Sequence, residues 1–437
     1  MTIHAFKRIV AATAMAMAMS LLGACKSGGD EDTGDAKIRL LNLSTGYSSL
    51  DLITNLDAED DDEDETQSAA VALNSVSQYV TLDPDDYTIK LKRTGSGSIL
   101  RSFAGEELVE GTINTYVAYG EVGAFGALRL DDTQDEADAG ETKLSVANVS
   151  SAGALDVYIT DTDTELDDTT PVLSGVGPAL NAFSTDSGTF RLRVTANGDN
   201  ADVRLDIPDF SLPDRGIVTL ILTATQGGTL VNAVYLPQEG EPTRLLNTRA
   251  RMRGAIGLAN GASASIQAGG KSVLTAATAG VIGSRYTLLD AGTVPLTIMV
   301  NGTQAAVPDV SLQAGADYTL LVWGSAGAVH TSLITDDNRL PTGGNAKLRL
   351  LNGMSTLGAP LTLSMDFSPL IEGTPTGEVS DTIEVTSGSD RQFDISNTST
   401  ATLVLTRGSL TLQGNSAYTF FMTDNGTTPI GVLRRDR

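Results

Sequence analysis

The sequence of 437 residues holds one cysteine, Cys25, and two histidines, His4 and His330. Such a chain forms no internal disulfide, and it cannot assemble a thiolate zinc cluster or a histidine-rich metal centre. His4 lies in a segment expected to be removed, which leaves His330 as the sole imidazole for a Ser-His-Asp apparatus. It stands in the strand-like stretch GAVHTSLIT, where a side chain without catalytic work is expected. Basic residues are scarce, 29 against 54 acidic ones, and the formal charge of −25 repels phosphate backbones and anionic lipid headgroups. Nucleic acid is thereby disfavoured as a partner. Long hydrophobic runs are also missing: the longest, Ile9 to Leu22, is shorter than the roughly 20 residues that cross a bilayer as a helix.

What is present is an ordinary globular share of apolar residues, 41%, with 45 glycines and 5% aromatics. That mixture favours slim strands and many turns. At roughly 100 to 200 residues per domain, the length implies two to four domains.

The first residues read as an export signal: Lys7 and Arg8, then the apolar run, then small residues before Cys25. Leu22-Gly23-Ala24-Cys25 resembles the lipobox of bacterial lipoproteins. The resemblance implies cleavage after residue 24, acylation of Cys25 and anchoring by two or three acyl chains, each buried methylene contributing about 0.8 kcal/mol. Lys26 in place of aspartate resembles the outer-membrane class of such proteins. Residues 25–35, with SGGDEDTGD, suit a flexible lipidated tether.

Internal repetition organises the rest. AKIRLLN (Ala36 to Asn42) returns as AKLRLLN (Ala346 to Asn352), with weaker versions in KLSVANVS from Lys143 and TRLLNT from Thr243. The landmarks Asn42, Asn148, Asn247 and Asn352 lie about 100 residues apart. About 70 residues after each comes an apolar strand: NTYVAYG from Asn114, GIVTLILTA from Gly216, ADYTLLVWG from Ala316 and SAYTFFMTD from Ser416. Tyr116, Tyr318 and Tyr418 align there, as candidate tyrosine corners whose hydroxyls meet nearby backbone. Period-two alternation, as in Ile89 and Leu91 between Lys90 and Lys92, predicts strands with one wet face. The fold expected is all-β: four tandem immunoglobulin-like antiparallel β-sandwiches, over residues 36–132, 143–237, 243–336 and 346–437, after a signal peptide at 1–24. The junctions Asp131 to Thr142, Pro237 to Thr243 and Thr335 to Ala346 read as linkers with almost nothing to bury. On this pattern Arg39 and Arg349 face water.

The opening K-[IL]-R-L-L-N, the Leu-Asp strands SLDLIT (Ser49 to Thr54) and ALDVYIT (Ala154 to Thr160), and the late A-x-Y-T-L strand together resemble family 4397 of the domains of unknown function. The first and fourth copies carry the resemblance best; the third has AIGLANGASASI in place of a Leu-Asp strand. The resemblance implies a fold and a cell-surface or secreted location, and no activity.

No catalytic constellation emerges. Paired carboxylates for glycoside hydrolysis need an apolar setting, whereas most acids here lie in polar loops. The acidic runs Leu56 to Glu65 and Thr160 to Asp168 follow equivalent strands and invite calcium, yet neither has the EF-hand pattern, and solvated insertions are expected. Trp323 sits among core positions in YTLLVWG and reads as packing. The expectation is an elongated acidic rod or string of sandwiches, lipid-anchored through Cys25 in the cell envelope, in a structural, adhesive or protein-interaction role with no cofactor and no metal. A glycan- or ligand-binding module is the alternative reading, and an enzyme a distant third.

Overall fold

The computed structural model describes residues 35–56, 63–341 and 343–437. Strands dominate, and each of four units contributes an inner and an outer sheet of four or five strands; the third adds a two-stranded ribbon. Each pair of sheets encloses its own apolar core. Several outer strands obey simple alternation. In the strand Asp85–Arg93 the side chains of Tyr87, Ile89 and Leu91 are buried while Thr88, Lys90 and Lys92 stay partly wet.

The central strands of the inner sheets in the first, third and fourth units do not alternate. Ala36–Leu43 is buried at every position but Lys37, and Ser416–Asp424 is buried throughout. One face of each strand packs into its own sandwich; the other is covered by a neighbouring unit. Leu41, Leu43, Val117 and Leu130 of the first unit meet Ile221, Val234 and Leu236 of the second. Ala255, Ile282, Leu321 and Ile334 of the third meet Leu351 and Phe421 of the fourth. Fully burying one such large side chain contributes about 1.5–3 kcal/mol. The units are therefore packed in pairs through their inner sheets.

Each opening strand lies parallel to the strand that enters the unit's final hairpin, a departure from a wholly antiparallel sandwich. The pairing fixes the repeat register. Arg39 stands beside Thr115, Arg253 beside Thr319 and Arg349 beside Thr419, with Ser145 beside Thr219 in the second unit. Two readings of the sequence change as a result. Thr243–Leu245 joins the second unit's sheet, and the third unit opens with Arg249–Leu258, so that Ile256 rather than Asn247 takes the place of Asn42. Tyr116 lies two positions further along its strand than Tyr318 and Tyr418 do.

The recurring asparagine has a physical role. Asn42, Asn148 and Asn352 donate through Nδ2 to Val71, Val176 and Thr374, tying the opening strand to the outer sheet, while each Oδ1 accepts from the backbone two residues on. Nor do the units run end to end as a rod. Arg437 of the fourth unit reaches carbonyl oxygens of Ser151 and Gly228 in the second and, at 3.0 Å, of Asn338 beyond the third.

Candidate functional site

Arg39 and Arg349 do not face water: they are 2% and 5% exposed, and Arg253 is 1% exposed. Alternation puts them on the face away from their own core, but that face is covered by another unit. Each arginine donates from Nε to the threonine beside it, at 2.7 Å to Thr115, 2.9 Å to Thr319 and 2.9 Å to Thr419. Each threonine hydroxyl donates in turn to a carboxylate 17 positions on: Asp132 at 2.5 Å, Asp336 at 2.7 Å and Asp436 at 2.5 Å. The Arg-Thr-Asp unit is thus built three times. In the second unit Ser145 and Leu236 occupy the outer positions, and Leu236 joins the apolar contact with the first unit instead.

Between the third and fourth units the clusters interlock. Arg253 Nη1 stands 2.6 Å from Asp436 of the neighbour, and Arg349 Nη2 donates at 2.6 Å to Asp336 of the third. Each arginine keeps its own threonine and takes the other unit's aspartate, a reciprocal exchange like that across a two-fold interface. Tyr286 lies under both Arg251 and Arg253, at 4.7 and 4.9 Å, and its hydroxyl donates to Asp336 at 2.7 Å. Tyr79 does the same in the first unit, under Arg39 at 4.3 Å and donating to Asp132 at 2.8 Å. Arg251 forms a bidentate pair with Asp317, both contacts 2.8 Å, and reaches Asp202 of the second unit at 3.2 Å.

The electrostatics suit a lock better than an acid–base pair. Burial alone would raise the Asp336 carboxyl, but Arg349 and Arg253, with the hydroxyls of Thr319 and Tyr286, hold it below the usual carboxylate range. Burial, with Asp336 beside it, pushes the Tyr286 phenol well above its ordinary value. Asp132 goes the other way, raised by burial despite Thr115, Tyr79 and Arg39. Asp132, Asp336 and the nearby Asn338, all at most 5% exposed, lie in stretches that read as linkers. Those junctions are partly core because they deliver the aspartates.

The other predicted positions fall as follows. Cys25 and the signal segment lie outside the described residues, as does part of the acidic run after Leu56. His330 is exposed and stacks on half-buried Trp323 at 4.7 Å, and Trp323 Nε1 donates to Ser332 at 3.0 Å. Trp323 packs against the apolar cluster between the third and fourth units. The hydroxyls of Tyr318 and Tyr418 accept from the backbone of Gln313 and Gln413 at 3.0 and 2.9 Å, as tyrosine corners do; Tyr116, out of register, donates to Glu106 at 3.3 Å. The run from Thr160 to Asp168 folds back onto arginine, with Arg193 donating to Thr164 at 2.7 Å. Among the described residues no group of three or more His, Cys, Asp or Glu is placed to hold a metal ion, and no helix is long and apolar enough to cross a membrane.

Fold and site together define a tandem β-sandwich protein whose units share buried polar and apolar seams. The model of the family described as "Domain of unknown function (DUF4397)" matches residues 36–158 and 250–359, more than half of the chain, and the chain belongs to that family. The matches cover the first and third units and the opening of the units after them, so the third unit carries the family pattern without a Leu-Asp strand. No curated protein matches the chain. Among solved structures, it is similar to a family CBM26 module (CBMbc) of Eubacterium rectale Amy13K in complex with maltoheptaose, at 14% identity and a TM-score of 0.16, over 43% of this chain and 92% of that one. It is also similar to the Bacillus anthracis TIE protein, at 8% identity and a TM-score of 0.14, over 93% and 76%. Likenesses at these scores say nothing about what this chain binds.

Proposed function

We propose that the chain is a lipid-anchored cell-envelope protein without catalytic activity, whose units form a fixed scaffold for adhesion or protein interaction. The observation that supports this is the reciprocal Arg253–Asp436 and Arg349–Asp336 lock, which commits four buried charged side chains to holding units together. Anchoring rests on the Leu22-Gly23-Ala24-Cys25 sequence, and the outer membrane on Lys26. The full chain should label with an alkynyl palmitate analogue and sediment with membranes, and Cys25→Ala should abolish both; an unlabelled, soluble parent refutes the anchoring. Photo-crosslinking from outer-sheet positions on intact cells should give a discrete adduct with another envelope component. Turnover of a substrate by the purified chain refutes the non-catalytic reading.

One observation favours the alternative of a glycan- or ligand-binding module. Phe367 is 80% exposed at the tip of the hairpin joining Leu361–Met365 to Ser368–Thr374, with φ of +69° after Asp366 at +51°. The same hairpin of the third unit uses Gly269 and Gly270 at +57° and +76°. A bulky residue in this region costs about 1–2 kcal/mol, and an exposed ring gains no packing in return. Strain of this kind gathers at contact sites. A glycan panel compared between the parent and Phe367→Gly decides it: loss of a specific glycan supports the reading, and an unchanged profile removes Phe367 from it.

A further inference from the structure

Beside the lock, where the second, third and fourth units meet, lies a cavity of about 530 Å³, within the roughly 300–1,000 Å³ of small-molecule sites. Arg204 and Thr229 line it from the second unit, Arg251 and Tyr286 from the third, and Asp436 and Arg437 from the fourth. Arg204 is 9% exposed; its Nη1 donates to Thr229 O at 3.0 Å and its Nη2 to Asp202 at 2.7 Å, while its Nε has no partner. Thr229 is 2% exposed, and its hydroxyl also has none. A buried donor left unpaired is costly, more so on a charged group, and here the two residues that carry such donors line one cavity.

The charge balance decides what would satisfy them. Asp202 is shared by Arg204 and Arg251, Arg251 is also paired bidentately with Asp317, Arg285 pairs with Asp199 at the exposed rim, and Asp436 is engaged by Arg253. The Arg437 guanidinium donates to backbone carbonyl oxygens, which lend it no countercharge. Burial, with Arg204 and Arg251 close by, pulls it down to about 10. A water can accept from both donors but carries no charge to set against Arg204 and Arg437. An oxyanion does both, because it accepts several hydrogen bonds and carries the missing charge.

We propose that this cavity binds an oxyanion, a carboxylate or phosphate borne by a small polar ligand, with Arg204 Nε and the Thr229 hydroxyl donating to it and Arg437 supplying charge. The site is independent of the scaffold role and lies within a strongly acidic protein, so it would draw its ligand by local field against the net charge.

The test titrates the full chain in detergent with sodium phosphate and with sodium acetate, at ionic strength held constant with sodium chloride, reading melting temperature and calorimetric heat. A saturable rise with at least one of them, weakened at least tenfold in Arg204→Gln, supports the site; the anion that acts names the ligand chemistry. Thr229→Val leaves every charge and the side-chain shape in place, so it serves if the arginine variant does not fold. It too should weaken binding. A response to both anions no greater than to chloride, or unchanged affinity in Thr229→Val, overturns the proposal.

Discussion

Replacing Arg349 by methionine keeps a long unbranched side chain in place and removes one charge from the lock. The guanidinium lost donates to Asp336 Oδ1 at 2.6 Å and to Thr419 Oγ1 at 2.9 Å from a position 5% exposed. Removing one member of a buried ion pair costs about 3–5 kcal/mol, mainly because the other is left under-neutralised. Here the remaining carboxylates are not abandoned. Asp336 keeps Thr319 and Tyr286, with Arg253 at 3.8 Å, and Asp436 keeps Arg253 at 2.6 Å. The loss should therefore sit near the lower end, about 3 kcal/mol. A water-facing Arg349, as alternation in AKLRLLN suggests, would cost within about 0.5 kcal/mol. Urea unfolding of the full chain read by Trp323 fluorescence separates the two outcomes, since the single tryptophan packs at this seam and reports it even if the units unfold in separate steps. The double variant Arg349→Met/Asp336→Asn should cost less than the sum of the singles, by about 1–3 kcal/mol. A single-variant loss under 0.5 kcal/mol, or strict additivity, would refute the lock.

Phe421→Ala, at a fully buried position of the same seam, should cost about 3–5 kcal/mol and red-shift Trp323 emission; a loss below 1 kcal/mol would show the seam open in solution. Gly377 has φ of +82°, and a Cβ there would lie 2.5 Å from Trp323 Cζ2, so Gly377→Ala should destabilise by about 1–3 kcal/mol and change the tryptophan spectrum. Phe367→Gly relieves about 1–2 kcal/mol of strain and returns about 0.4–1 to the unfolded chain's entropy, for a net gain between about 0 and 1.6 kcal/mol by thermal unfolding. Acid should loosen the same seam, because the folded pKa of Asp336 is depressed: its contribution is complete above the unfolded value of about 4 and is lost as pH falls through the lower, folded one. Asp337, which burial would raise, is held at about 2 by Arg339 and Lys347, so its contribution too is lost only in acid. The Trp323-monitored midpoint should be flat from pH 7 to 5 and fall below about 4, less so in Arg349→Met; a fall centred near pH 6 would contradict the assignment.

The all-β class, the repeat and the apolar faces of the outer strands were legible because period-two alternation holds wherever one face meets water. It fails for the inner sheets, and Arg39 and Arg349 show why: a single sequence tells which face of a strand a side chain takes, not what covers that face. A trace of the lock was nevertheless in the sequence. Thr115 and Asp132, Thr319 and Asp336, and Thr419 and Asp436 are each separated by 17 positions, and each threonine follows an arginine of an opening strand. That spacing goes unnoticed when the acids are counted as linker composition. The third unit was misaligned for a related reason: TRLLNT matches the opening phrase in letters, but its asparagine donates to Arg204 and Val231 within the second unit. The cavity had no signal at all, since its walls come from three units far apart in the chain.

The two seams solve one problem in different ways. Both cover the second face of an inner sheet, yet the first joins Leu41 and Val117 to Ile221, Val234 and Leu236 with Arg39 and Asp132 kept within one unit, whereas the second adds four buried charges exchanged between its two units. An apolar seam forms from any two surfaces of suitable shape. A reciprocal Arg–Asp exchange forms only when both units present the cluster in matching register, because a slip leaves charges buried without partners. The second unit, with Ser145 and Leu236 where the others have arginine and aspartate, cannot enter that exchange. The third and fourth units can pair that way with each other but not with the second, and so the polar cluster keeps the second unit out of this seam.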